Sequence, residues 1–297
     1  MDGMNPEPAI ENILPLPIPY PSTVLHGSES VPGLAALRAA RRRLTAAVTG
    51  TSTDPADVAA EEYDTLLRAV LKQQHRCSGV AWRMPNSPVF CSFDTSVDIL
   101  MLALLRAGLS LRAASRCPGE EREARRAFLA EAVDILRNAP KTTAMPAAIV
   151  LRCGDAAMAA RIEMLELLVH SEYISEQPPT PALAGGWRSV FSQATVVGTT
   201  LKACGDGPAE SAAAMVAEQA LGHACACAAD ESYAKARFAD AAALAAAAAT
   251  RVPSFGDRAA QLEAVAGDRR LAVERNMGVT ALLGMLPPKT TLPRLFG

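Results

Sequence analysis

"HACACAADESYAKARFADAAALAAAAA", residues 223–249, is dominated by alanine and contains no β-branched residue. Alanine is the strongest helix former because it loses no side-chain entropy on folding, so the stretch reads as helix on both sides of its charged centre. The spacing predicts one helix over 208–233 and the next over 234–251. Side chains this small let neighbouring helices approach closely. The same stretch also holds His223, Cys225 and Cys227. His223 and Cys227 are four apart and share a helix face, a spacing that suits two metal ligands, while Cys225 points the other way. A zinc site needs about four ligands, and no CxxC, HxxxH or HExxH pattern occurs in the chain. Cys225 and Cys227 are therefore read as small buried apolar residues and His223 as a partly buried polar one. No metal and no cofactor are expected.

Working outward, apolar periodicity and breakers predict further helices at 32–49, 55–76, 94–116, 120–138, 144–176 and 181–203, and a last one over 257–280. Asp54-Pro55 supplies a cap and a first-turn proline, and Pro208 opens another helix. Almost no alternating β pattern is present. The expected fold is all-α: an irregular α-solenoid of antiparallel helices, without an exact repeat. The segment 1–30 stands apart. Pro6, Pro8, Pro15, Pro17, Pro19 and Pro21 forbid helix there, so it should run extended along the surface of the helical domain at 31–297, with room for one short edge strand.

Composition narrows the function classes. The chain has 297 residues, is 50% hydrophobic and carries a formal charge of −2. It can bury a sizeable core, and it lacks the basic excess of a nucleic-acid binder. "ILMLALL" at 99–105 is far short of the roughly 18 apolar residues of a membrane span, and "MDGMNPEPAIENILPLPIPYPS" does not read as a secretory signal. Seven cysteines without a dense framework fit a reducing compartment, so a cytoplasmic setting is expected. "GGWRS" (185–189) and "CGDG" (204–207) follow no strand and have no phosphate-loop spacing. Glu61-Glu62, Glu120-Glu121 and Glu163 with Glu166 sit among arginines, where ion pairing accounts for them. The sequence assigns no catalytic residue, and an enzyme with a site invisible at this level is the least favoured reading.

Three stretches carry the positive argument. In "GLAALRAARRRL" (33–44), Leu34, Leu37 and Leu44 mark an apolar side and Arg38, Arg41, Arg42 and Arg43 fill much of the rest. This is either a solvated basic face or a contact for acidic headgroups or an acidic partner. In "DAAMAARIEMLELLVH" (155–170), Met158, Ile162, Leu165 and Val169 form one stripe, Met164 and Leu168 an adjacent one, and Glu163, Glu166 and His170 lie opposite. That apolar arc is wider than one neighbour needs. It packs on two sides or leaves a groove open. In "RRLAVERNMGVTALLGMLPP" (269–288) a polar helix stops, and an apolar extended stretch ending in a double proline returns onto the fold.

In this order, the pieces resemble the BRO domain family of ESCRT adaptors. "GLAALRAARRRL" looks like its LRxxRxxL helix, "AAEEYDTLLRAV" (59–70) like its ExYxxLL helix, and "VAWR" (80–83) like the aromatic-x-Trp segment that follows, with Trp82 in the tryptophan's place. "SVDILMLALLRAGLSLRAAS" (96–115) and "RAFLAEAVDILRNAP" (126–140) are similar to its next two helices. "AAMAARIEMLELLVH" stands where the family has LxxAQAQE, without the glutamines, "YAKARFADAAALAAAAATRV" (233–252) resembles the YGxAIARLxxA helix, and "AVERNMGVTALLGMLPP" takes the place of the closing KxxNDxIYxxxVP. The resemblance covers about residues 31–297. It implies a boomerang-shaped, TPR-like solenoid that docks the amphipathic helix of an ESCRT-III-type protein partner in a concave apolar groove, in endosomal sorting. Mapped here, the groove would be Leu165, Leu168, Val169, Trp187 and Val190, with Arg161, Glu166 and Arg188 on its rim. Arg38, Arg41, Arg42 and Arg43 would form a basic surface for peripheral contact with an acidic membrane. The alternative is a structural helical subunit of a larger assembly whose groove is no longer used.

Overall fold

Local chemistry sets the helix starts and stops seen in a computed structural model of the chain, which describes residues 13–20, 33–72, 80–85, 88–92, 94–118, 121–141, 153–177, 180–266, 278–292 and 295. Ten α-helices occur among the described residues: α1 (Leu34–Val48), α2 (Ala56–Lys72), α3 (Thr95–Arg116), α4 (Arg122–Arg137), α5 (Asp155–Ser175), α6 (Pro181–Ala203), α7 (Gly207–Ala234), α8 (Phe238–Arg251), α9 (Gly256–Ala266) and α10 (Val279–Met285). The fold is all-α with a small β element near the N-terminus. At α3, Asp94 Oδ1 accepts from the Ser96 backbone N–H at 2.8 Å, covering an otherwise unpaired amide of the first turn. The break between α7 and α8 has neither proline nor glycine. Ala236 takes the left-handed conformation (φ 58°), while Arg237 N–H bonds to Ser232 O and Ala236 N–H to Tyr233 O. A glycine usually fills that position because it has no Cβ to strain.

The β element has three antiparallel strands in the order β1 (Ile18–Pro19), β2 (Val80–Arg83) and β3 (Val89–Ser92), with Ile18 opposite Arg83 and Trp82 opposite Phe90. The proline-rich start thus does supply an edge strand, one of the few places a sheet tolerates proline. It is held more deeply than a surface strap. Ile13, Leu14, Pro17 and Pro19 are buried, and a Cβ at Gly108 of α3 would lie 2.4 Å from Leu16 Cδ1. The hairpin β2–β3 was not expected from the sequence.

The helices group into two compact units. One comprises Glu11–Leu165 with Ala203–Asp206, the other Glu166–Lys202 with Gly207–Gly297, so the division falls inside α5. In the first unit α1 packs on α2, α2 on α3 and α3 on α4; in the second α7 packs on α8 and α8 on α9. Helices that pack on their sequence neighbours are the pattern of an α-solenoid. The helix expected over 257–280 is represented by α9 and the separate α10, while 267–277 lie outside the described residues.

Candidate functional site

The arginine helix α1 behaves differently from a basic face. Arg41 is 1% exposed and sits in a polar cluster at the centre of the first unit. Its Nη1 donates to Tyr63 Oη (2.7 Å) and Asp98 Oδ1 (3.0 Å), and its Nη2 to the Ala81 carbonyl (2.6 Å). Tyr63 Oη donates to Asp98 Oδ2 and Trp82 Nε1 to Asp98 Oδ1, both at 2.7 Å. The guanidinium also lies 4.8 Å from the Trp82 ring centre. Burial, then the Asp98 charge, pushes the Tyr63 phenol well above its ordinary pKa of 10, so it stays a donor to the carboxylate. A buried charge requires this degree of pairing. The cluster joins α1, α2, β2 and α3. Arg41 is therefore removed from the expected basic surface. Arg43 pairs with Glu62, Arg42 is exposed and Arg38 half-buried.

The residues expected to line the groove are buried. Leu165 (0% exposed), Leu168 (7%), Val169 (7%), Trp187 (5%) and Val190 (0%) are core side chains. The division between units assigns Leu165 to one and the other four to the other. In the second half of α5, Leu167, Leu168, Val169 and His170 are buried in succession, so His170 does not stand on a polar face. Within residues 161–174 the exposed positions of α5 are Glu163 and Tyr173 rather than its apolar stripe. The rim residue Arg161 is fully buried, pairs with Asp206 and donates through Nε to the Ile13 carbonyl at 3.2 Å. Glu166 is half-buried.

Arg188, the third rim residue, is engaged by the chain itself. From Leu286 the chain runs extended across α6, as the double proline implied. Arg188 Nη1 donates to the carbonyls of Leu286 (3.0 Å) and Pro287 (2.7 Å), Ser189 Oγ to Thr290 O (2.6 Å), and Thr290 N–H to the Gly185 carbonyl (3.3 Å). Lys289 Nζ reaches Ser192 Oγ. A Cβ on Gly185 would lie 2.7 Å from Pro288 O, so glycine sets how near the strap comes.

His223 is a stacking residue. Its ring lies 4.4 Å from that of Trp187 at an interplanar angle of 15°, and Phe255 meets it edge-on at 5.1 Å. Burial raises the Cys225 thiol to about 12 and Cys227 to about 11, which leaves both protonated and unreactive. Among the described residues no group of three His, Cys, Asp or Glu side chains could hold a metal ion, and no helix is long and apolar enough to cross a membrane.

An open cleft of about 630 Å³ lies over α2, α3 and α4 in the first unit. Leu109 and Ala113 of α3, Phe128 and Ile135 of α4, and the exposed Val58 of α2 give it apolar lining. Asp57 and Glu61 line it from α2, Arg112 and Arg116 from α3. Arg106 turns to Asp64 at 2.9 Å and Ser110 to Glu131 at 3.1 Å, whereas Asp57, Glu61, Arg112 and Arg116 make no ion pair among the described residues. Sequence reasoning missed this cleft. Its signal was the pair Arg112 and Arg116, four apart on one helix face.

The chain matches no protein-family model and no curated protein.

Proposed function

We propose that the protein is a BRO-like helical adaptor that binds, without catalysis, an amphipathic helix of an ESCRT-III-type partner, and that it does so in the cleft over α2, α3 and α4. The support is the set of unpaired charges facing that cleft: acids Asp57 and Glu61 on one helix, Arg112 and Arg116 on another, with apolar side chains between. A partner helix with an apolar stripe flanked by bases on one side and acids on the other satisfies all four, and its apolar anchors fill the lining. The sequence resemblance supplies the partner class and the endosomal setting. Titration of the full chain with C-terminal helix peptides of ESCRT-III subunits tests the reading. Arg112→Glu with Arg116→Glu should weaken binding by about tenfold or more at low salt, with the loss fading at high salt. Equal binding by the wild type and the reversed variant at low salt overturns it.

A second reading, a structural subunit of a larger assembly with its ancestral groove filled, draws on the burial of Leu165, Leu168, Val169, Trp187 and Val190. It predicts that no such peptide binds at all.

A further inference from the structure

The strap across α6 is held in the manner of a bound peptide. Leu286 has polyproline II geometry (φ −81°, ψ 148°) and leads into Pro287-Pro288. Of the strap's side chains only Leu286 is buried; Pro288, Lys289, Thr290 and Thr291 are exposed. Its polar contacts to Gly185, Arg188 and Ser189 all run through its own main chain: three carbonyls accept and one amide donates. The receiving surface is small by construction, since Gly185 admits the strap's backbone where any Cβ would strike it. Arg188 spends both of its bonds to the strap from Nη1, and its buried Nε has no acceptor, so the strap does not use the full donor set of the site.

We propose that this face of α6 is a binding site for an extended, proline-containing peptide segment of another protein, and that residues 286–292 are its built-in competitor. Recognition is by main-chain hydrogen bonds to Arg188, Ser189 and Gly185 together with one apolar anchor at the Leu286 position, and a proline-fixed extended backbone lowers the ordering cost of binding. The site is available only in the fraction of molecules whose strap has lifted, and the apparent affinity for an outside peptide is reduced by that fraction. This inference is independent of the cleft over α2, α3 and α4.

The probe is a fluorescein-labelled peptide with the sequence of residues 286–292, followed by anisotropy against the full chain. Leu286→Asp with Thr290→Pro removes the anchor and the donating amide from the strap. This variant should bind the peptide at least about tenfold more tightly than the wild type. Adding Gly185→Val should abolish the gain. Unchanged peptide affinity in a strap variant that retains wild-type circular dichroism overturns the proposal. Should the strap variant fail to fold, hydrogen exchange on the wild type decides. Excess peptide should speed exchange of the Thr290 amide several-fold, and an unchanged rate counts against a displaceable strap.

Discussion

The centre of the first unit and the α7–α8 seam of the second hold their helices together by opposite means. Around Asp98, four side chains from four elements meet through directed hydrogen bonds, and the geometry is specified by donors and acceptors. Along α7 and α8, Ala220, Ala224, Ala228, Ala241, Ala245 and Ala248 are buried, and contact depends on the absence of bulk. At Gly222 even a methyl group would intrude, lying 2.7 Å from Val252 Cγ2 and 3.1 Å from Arg251 Cβ. The first kind of core fails when one partner is deleted and the other is left charged in the dark. The second fails when something is added.

Deletion should produce the larger effect. Asp98→Ala leaves the Arg41 guanidinium buried without its carboxylate and should cost about 3–5 kcal/mol in urea unfolding. A loss below about 1 kcal/mol would mean that the cluster contributes little to holding the unit together. Gly222→Ala should cost up to about 2 kcal/mol, because an overpacking penalty of about 1–3 is offset by a helix-propensity gain of only about 1; a rise in melting temperature would show that the seam has slack. Ala236→Gly should stabilise by about 0.5–1 kcal/mol, as relief of left-handed strain outweighs the added freedom of the unfolded chain.

The smallest effect belongs to pH. Burial lowers the pKa of His170 from its ordinary 6.5, with Glu166 opposing to a lesser degree. The folded chain therefore binds fewer protons than the unfolded one, and stability present above pH 6.5 should decline as pH falls through the lowered folded-state value. Melting curves of wild type and His170→Gln between pH 7.5 and 5 check this, with the variant expected to show the flatter profile.

The alanine seam was largely legible in the sequence; the polar cluster was not. Helices predicted at 32–49, 94–116 and 181–203 correspond to α1, α3 and α6 within two residues, because periodicity and caps are local signals. Arg41 and Arg161 were read as surface groups. Their carboxylates lie 57 and 45 residues further along the chain, and no local pattern marks such a pairing. The β2–β3 hairpin was missed because each strand is four residues long, too short for alternation to register, although VAWR and VFCS are rich in β-branched and aromatic residues. The burial of the expected groove residues was illegible for a related reason. The wide apolar arc of α5 was correctly seen, but whether an arc is open or covered depends on neighbours that its own residues do not name.

The separation between Arg41 and Asp98 also bears on how the chain is made. A ribosome releases α1 and α2 well before the carboxylate that neutralises Arg41 has left the exit tunnel. Until then the guanidinium must keep its hydration shell, and the α1–α2 pair can only hover in a loose, wet association. Emergence of α3 is the event that lets this region dry out, which makes that helix the timekeeper of the nascent domain.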